Sequence, residues 1–419
     1  MRRGSACGRE RSSAVLRRLI RYSEKVFELS EKILSPLTDG RLQPRIRTPV
    51  LVQSALILFW TRLGSLHALE TVKKARFWKQ WLGREMSSVD TLGRVYVGLR
   101  VAELREGLHR VYTRLKRIKA LPAMRGWDVA VLDGHESHAS YRRHCSGCLR
   151  RTVHLESGDR VQFYHRQVTL MLVGEKFHLL VDLEPQRPGE DEVTTALRLL
   201  ERVLAAYPRA FQIVLADSLY AQAPFLNFLL AHRKHAIVVL KDERRDLYRD
   251  AQGLFVLTPP QNGRYRRRDC RWWDVTDLRS WPQVQAPLRV VRSQETEVVH
   301  RQNDGAMETQ NSDWIWVATL PAAVVPTASV VHWGHARWDI ENHGFNELVN
   351  GWYADHVYKH EPHAIEAFLL TIFLAYNLFH GWLTRNLKPF LQRGKTQVFW
   401  ARRMAAELYG DPGVLPRGP

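Results

Sequence analysis

Val129-Ala-Val-Leu-Asp-Gly134 and Ile213-Val-Leu-Ala-Asp-Ser-Leu-Tyr220 are the two stretches on which the fold turns. In each, a short aliphatic run stops on an aspartate, Asp133 in the first and Asp217 in the second. A continuous apolar run of this length fits a strand covered on both faces, as in sheets whose strands are joined through helices. The neighbouring sequence agrees. Residues 164–173 and 177–183 form a hairpin-like pair turned at Gly174-Glu175-Lys176. Residues 191–206 and 223–232 have helical spacing, and 211–216 and 236–240 are buried-strand runs. This β-β-β-α-β-α-β order predicts an α/β sheet covered by helices.

Outward from that centre the texture changes. Residues 1 to about 120 read as helices almost throughout, with an apolar helix over 50–60 that ends near Gly64. Apolar residues Leu92, Val95, Leu99, Leu104, Leu108, Val111, Leu115 and Ile118 recur at helical spacing and predict one helix over 89–119. Its other face carries Arg94, Arg100, Arg105, Arg110, Arg114, Lys116, Arg117 and Lys119, a solvated face or one that tracks phosphates. Residues 242–325 alternate Val-, Trp- and Thr-rich runs with turn signals at Pro259-Pro260, Gln261-Asn262-Gly263 and Asn303-Asp304-Gly305, which predicts a mainly β insertion. Thr327 is placed to cap a helix through Leu348, stopped at Asn350-Gly351. A further helix over 363–382 has Ile365, Phe368, Leu369, Ile372, Phe373, Tyr376 and Phe379 as its core stripe, and the tail after Pro412 is rich in Pro and Gly. The layout is a helical N-terminal region (1–120), a core built from 121–241 and 326–385, the β-rich insertion (242–325), and a C-terminal tail (386–419) after a helical C-terminal cover.

Composition limits what such a chain does. At 419 residues, with 45% hydrophobic and 25% charged, the chain has ample material for a core, so disorder is excluded as its dominant state. The 62 Lys and Arg exceed the 43 Asp and Glu to give a formal net charge of +19, the balance expected of a protein whose partner is a polyanion. The longest apolar runs, 50–60 and 367–379, are shorter than the roughly 20 residues that span a bilayer, so no membrane partner is expected. Residues 1–21 carry charge throughout and lack the apolar centre of a signal peptide. Four cysteines, Cys7, Cys145, Cys148 and Cys270, are too few for a disulfide scaffold and suit a reducing compartment. A cytoplasmic, nucleoid-associated nucleic-acid binder is the expectation.

Three carboxylates stand where chemistry could be done. Strand ends in an α/β sheet converge on one crevice, which Asp133 and Asp217 would share. Glu341 lies in Arg337-Trp-Asp-Ile-Glu-Asn-His-Gly-Phe-Asn-Glu-Leu348. Such a triad can hold two divalent cations about 4 Å apart. Its hard oxygens suit Mg²⁺ or Mn²⁺. Arg337, one turn before Glu341, could pair with it or grip a phosphate bidentately. Taken singly, each Asp is equally a cap or turn residue.

Together, these pieces resemble a DDE transposase of the bacterial insertion-sequence, cut-and-paste type. The resemblance is carried by Asp133 in Val-Leu-Asp-Gly, Asp217 in Val-Leu-Ala-Asp-Ser-Leu-Tyr and Glu341 in Arg-Trp-Asp-Ile-Glu-Asn-His-Gly-Phe-Asn, with a β-rich insertion before the Glu. It runs from about Leu51 to Trp382, and Gly64-Ser-Leu-His-Ala-Leu-Glu with the basic helix after it resembles the family's helical N-terminal part. It implies an RNase H-like catalytic core with the β insertion, behind a helical N-terminal DNA-binding region. Hydrolysis at a transposon end would leave a 3′-OH, which would then attack a target phosphodiester in-line. Asp133 and Asp217 would hold two Mg²⁺ or Mn²⁺ ions, and Glu341 would complete the shell of one. Partners implied are double-stranded DNA, as terminal repeats and target, and a second copy of the chain. The family branch often shows Tyr-x-x-Arg-x-x-x-Glu-x-x-x-x-x-x-Lys; Arg337 and Glu341 match, but Gly334 stands at the Tyr position and Leu348 at the Lys position. A silent DNA-binding descendant, a nuclease that cuts without joining and a zinc-dependent binding module are the alternatives.

Other residues invite a role. Cys145-x-x-Cys148 has zinc-knuckle spacing, with His138, His144 and His154 nearby and Arg142, Arg143, Arg150 and Arg151 around it. Two structural thiols in a basic loop would look the same. Arg264, Arg266, Arg267 and Arg268 could follow backbone phosphates. Trp272, Trp273, Trp314 and Trp316 either stack on an unpaired base or fill a sheet face. His135 and Glu136 either enter the site or make a turn, and Asp128 should lie at the far end of its strand.

Overall fold

The computed structural model describes residues 14–410 apart from 242, 244 and 302–304. Cys7, the Asn303-Asp304 part of one turn signal and the tail after Pro412 lie outside the described residues. Ten strands form one sheet among the described residues: β1 (Val129–Ser140), β2 (Leu149–Leu155), β3 (Gly158–Val173), β4 (Leu179–Pro185), β5 (Ile213–Ala216), β6 (His235–Val239), β7 (Gln261–Tyr265), β8 (Arg268–Leu278), β9 (Leu288–His300) and β10 (Met307–Ala318). The order is β2-β3-β1-β5-β6-β10-β9-β8-β7, with β4 also paired to β3. Only β1, β5 and β6 run parallel to one another; the other pairings are antiparallel.

The helices before the sheet are α1 (Val15–Phe27), α2 (Thr48–Trp60), α3 (Leu66–Thr71), α4 (Arg76–Leu82), α5 (Val89–Gly98) and α6 (Val101–Arg117). Between β4 and β7 come α7 (Glu192–Ala206), α8 (Ala223–Ala231) and α9 (Asp246–Leu257). After β10 follow α10 (Thr327–Ala336), a π-helical turn (Ile340–Phe345), α11 (Asn346–Trp352), α12 (Pro362–Asn386), α13 (Pro389–Gln392) and α14 (Gln397–Leu408). The stretch 242–325 thus opens with a helix, and its four strands continue the central sheet where Trp316 of β10 faces Val239 of β6.

Several elements differ from their sequence signature for identifiable reasons. β1 does not stop at Asp133 but runs on to Ser140, because β3 keeps pairing with it from Asp133↔Thr169 to Ser140↔Phe163 after β5 has ended. Apolarity marked only the doubly covered part. The predicted 89–119 helix is two helices, broken where Leu99 and Arg100 are extended and the Arg100 N–H bonds the Thr38 carbonyl at 3.1 Å. Its basic face is only partly available. Arg105 is held internally by Asp182 and Glu366, Arg114 donates to the Val26 carbonyl at 2.7 Å, and Arg110 faces Glu106 at 3.3 Å. The late helix is interrupted. Its first helical residue, Thr327, gives its hydroxyl to Asp274 rather than capping, α10 ends at Ala336, and the chain is finally turned by Tyr353 at φ 56°.

The helix predicted over 363–382 extends to 25 residues and is long and apolar enough by composition to cross a membrane; here 94% of its most apolar window is buried inside the protein. Its polar residues are paired: Thr371 with Tyr96 at 3.1 Å, Asn377 with both the N–H and the carbonyl of Leu180, and His380 with Glu347 at 2.8 Å. These interruptions shortened its apparent apolar run. Beside it, Asp182 of β4 accepts from Arg105 of α6 at 2.9 Å and from Arg202 of α7 at 2.8 Å, while Arg105 also reaches Glu366 of α12 at 2.5 Å. One buried carboxylate therefore ties two helices to the sheet, and through Arg105 a third.

The two departures from the family signature have packing causes. The Trp316 indole fills the space into which any side chain at Gly334 would project, so a Cβ there would overlap it. Leu348 is buried in the core, where a lysine ammonium would be desolvated.

Two stability outcomes follow. Asp182→Ala, which takes one of two acidic partners from each of Arg105 and Arg202, lowers the unfolding free energy by about 1.5–3 kcal/mol in denaturant titration. Gly334→Ala costs about 1–3 kcal/mol by overpacking. A double-mutant cycle with Trp316→Phe gives a less than additive loss if the indole is the cause.

Candidate functional site

Two parallel strands bring the first pair of acids together. β1 and β5 pair as Val129↔Ile213 and Val131↔Leu215, so the same register two residues on sets Asp133 beside Asp217. Neighbouring strands lie about 4.8 Å apart. β5 ends at Ala216 and the chain swings into a short 3₁₀ turn, Ser218–Tyr220, while β1 runs on past Asp133. One oxygen of each acid is used locally: Asp133 accepts from the Gly134 N–H and Asp217 from the Leu219 N–H, both at 2.8 Å. Asp217 therefore is a cap, as its position allowed, and its second oxygen is not used by that cap. Burial first and the nearby Asp217 second push the Asp133 carboxyl up to about 7, against the pull of Arg337 and of the Gly134 N–H.

Glu341 arrives from the π-helical turn. Wide turns of this kind shift the direction of the side chains that follow and recur at functional sites. Arg337 donates to Glu341 at 2.8 Å and lies 3.6 Å from Asp133, so one guanidinium joins the third acid to the first. Of the two roles open to it, pairing is the one seen. Arg337 is buried and packs over the Trp338 ring at 4.3 Å, leaving the exposed indole at the rim. His135 and Glu136 are strand residues, not turn residues: His135 stacks on Phe345 and reaches Asp355 at 3.4 Å, while Glu136 pairs with Arg151. Asp128 lies just before the opposite end of β1, where burial raises its carboxyl against the weaker pull of Lys116 and Lys234.

A fourth acid was missed. Glu192, the first residue of α7, is buried against Gly134, where an added Cβ would overlap its carboxylate. It accepts from the Tyr220 hydroxyl at 2.8 Å and lies 3.0 Å from Arg166, and its charge adds to the upward push on Asp133. An acid in the first turn of a helix is the usual complement to the helix dipole, so the sequence held no signal for it. Tyr220 did stand in the quoted Asp-Ser-Leu-Tyr motif; its hydroxyl braces the turn that Asp217 caps.

The predicted basic contacts divide. Arg142, Arg143, Arg150, Arg264, Arg266 and Arg267 are exposed. Arg151, itself exposed, makes a two-pronged pair with Glu136, and Arg268 is held by Glu295 and Glu297 at 3.0 Å each, so these two have acidic partners within the chain. Arg266 and Arg267 form the two-residue turn of the β7–β8 hairpin. Tyr265 beside them stacks on His335 at 4.3 Å, which brings the hairpin tip to the end of α10, and the Arg266 charge acts on Asp339, two residues before Glu341. Trp272, Trp273 and Trp316 are buried and Trp314 stacks on Trp316, so sheet packing accounts for all four. The two cysteines meet His165 and His360 rather than the histidines near them in sequence. His144 instead stacks on Phe163, His154 pairs with Asp159, and His138 contacts Ser137.

Residues 151–378, just over half of the chain, match the family described as transposase DDE domain. The matched stretch contains Asp217 and Glu341 and begins after Asp133. Among curated proteins no match is found. The chain belongs to the DDE-domain transposases.

Proposed function

We propose that the protein cuts DNA at transposon ends and joins the resulting 3′-OH to target DNA, with Asp133, Asp217 and Glu341 as its metal ligands. The observation that carries this reading is that parallel register sets Asp217 beside Asp133, within β1, while Arg337 joins Asp133 to Glu341 of the π-helical turn. The donor set fits hard divalent cations: carboxylate oxygens in a partly buried crevice, with Asp133 already pushed up by burial and by Asp217. Mg²⁺ or Mn²⁺ ions held there would supply Lewis acidity and charge neutralisation at the scissile phosphodiester.

The chain's own residues do the positioning. Arg337 orients Glu341 toward Asp133. The Tyr220–Glu192–Arg166 contacts hold the Asp217 turn against β1. Strands β4-β3-β1-β5-β6 with α7 and α8 make the RNase H-like core in this reading, supported by three antiparallel strands followed by two parallel ones reached through helices. Residues 242–325 serve as the insertion, and Arg266 and Arg267 at its hairpin tip contact phosphates next to the acids. Arg142, Arg143 and Arg150 extend the basic surface, and a dimer brings two ends together.

The test uses DNA carrying the element's own ends with Mg²⁺ or Mn²⁺. Asp133→Asn, Asp217→Asn and Glu341→Gln each lower cleavage and joining by more than about 100-fold with DNA binding retained, since even outer partners of metal ligands are worth about 10–100-fold. Activity that survives these changes sinks the assignment. Cleavage without joining by the wild type would make it a nuclease, and tight end binding with neither reaction a DNA-binding descendant. In salt titrations, Arg266→Ala with Arg267→Ala weakens binding alike across sequences and flattens the log–log slope by about 0.9 for each phosphate no longer neutralised.

A further inference from the structure

Cys145 and Cys148 lie in the loop between β1 and β2, His165 on β3, and His360 in the connection from α11 to α12. Four ligand atoms from three separate parts of the chain close on one point, all within 4.8 Å of one another. The Cys145 sulfur is 3.5 Å from that of Cys148 and 3.2 Å from His165 Nε2; Cys148 Sγ lies 3.3 Å from His165 Nε2 and 3.6 Å from His360 Nε2. Zinc bonds of about 2.3 Å to sulfur and about 2.0–2.1 Å to nitrogen, set tetrahedrally, give edges of about 3.3–3.8 Å between ligand atoms. These four spacings fall within a few tenths of an ångström of that range, and the two from His360 Nε2 to Cys145 and to His165 lie within 4.8 Å. A disulfide would instead bring the sulfurs to about 2.05 Å.

We infer that Cys145, Cys148, His165 and His360 form a structural zinc site, separate from the acidic crevice. The donor types choose the metal: two thiolates and two imidazoles favour Zn²⁺ and exclude the hard cations suited to the carboxylates. Four protein ligands leave no open coordination position, so the site is a clamp and not a reaction centre. Gly147 shows how closely the clamp is built, since a Cβ there would come within 2.9 Å of the Pro362 ring at the start of α12. What the clamp fastens is the connection that follows Glu341. That connection already touches β1 through Asp355 and His135, and His360 would be tied by metal to the strands beside Asp133.

The experiment is metal analysis of the full chain purified without chelator. The expected result is one zinc per chain, with Cys145 and Cys148 protected from a thiol reagent until chelator is added. Cobalt(II) in place of zinc should show the intense visible bands of a tetrahedral site with thiolate ligands. His360→Ala, in a surface connection, should lower zinc affinity at least about 10-fold and expose both thiols while the helical circular dichroism is retained. Zinc-free protein from zinc-replete growth with no tetrahedral cobalt spectrum overturns the inference. So does a Cys145–Cys148 disulfide in freshly purified protein. None of these readouts involves DNA cleavage, so the zinc site and the DNA chemistry stand or fall separately.

Discussion

The parallel pairing of β1 with β5 is the constraint on which the rest of the molecule depends. Parallel register carries two aspartates, 84 residues apart in sequence, to the same level on neighbouring strands. Burial and, after it, the like charge of Asp217 push the Asp133 carboxyl up. The surrounding structure accommodates this. Arg337 supplies a buried positive charge, backbone N–H groups take one oxygen of each acid, and Gly134 leaves room for Glu192 to brace Tyr220. Acids gathered in a half-buried position cost stability locally, and the large core of α12 and the sheet offsets that cost.

Long-range polar contacts do similar work elsewhere. Asp182 joins α6 and α7 to β4, and Asn377 anchors α12 to the backbone of Leu180. In a buried setting each such group must find its partner, so the arrangement selects one packing of helices on the sheet. The same logic explains Gly334. β10, paired between β6 and β9, brings Trp316 against α10, and the position that carries tyrosine in the family signature has no room for a side chain.

Much of the central sheet was legible because its strands are covered on both faces and its helices have clear apolar stripes. What escaped had physical reasons. β1 continued past its apolar run because β3 alone supports that part, and one-sided strands admit polar residues. The break at Leu99-Arg100 leaves helical spacing on either side almost undisturbed, so periodicity could not show it. Asp133, Asp217, Arg337 and Glu341 were visible as motifs. Glu192 was not, since an acid that opens a helix looks the same wherever the helix points. Cys145 and Cys148 showed their spacing, but His165 and His360 sit 17 and 212 residues from Cys148, beyond any local pattern.

The sequence by itself determined the excess of positive charge, the doubly covered central strands with the aspartates that follow their apolar runs, and the apolar stripes of the longer helices, because these follow from composition and from periodicities of two and 3.6. Only the tertiary structure decided that Arg337 bridges two of the acids, that Arg151 and Arg268 are spent on internal partners, and that two distant histidines meet the cysteine pair. Those outcomes depend on strand register and on how helices pack across the sheet. Both are set by the sum of many weak contacts between residues far apart in the chain, and no short stretch of sequence contains them.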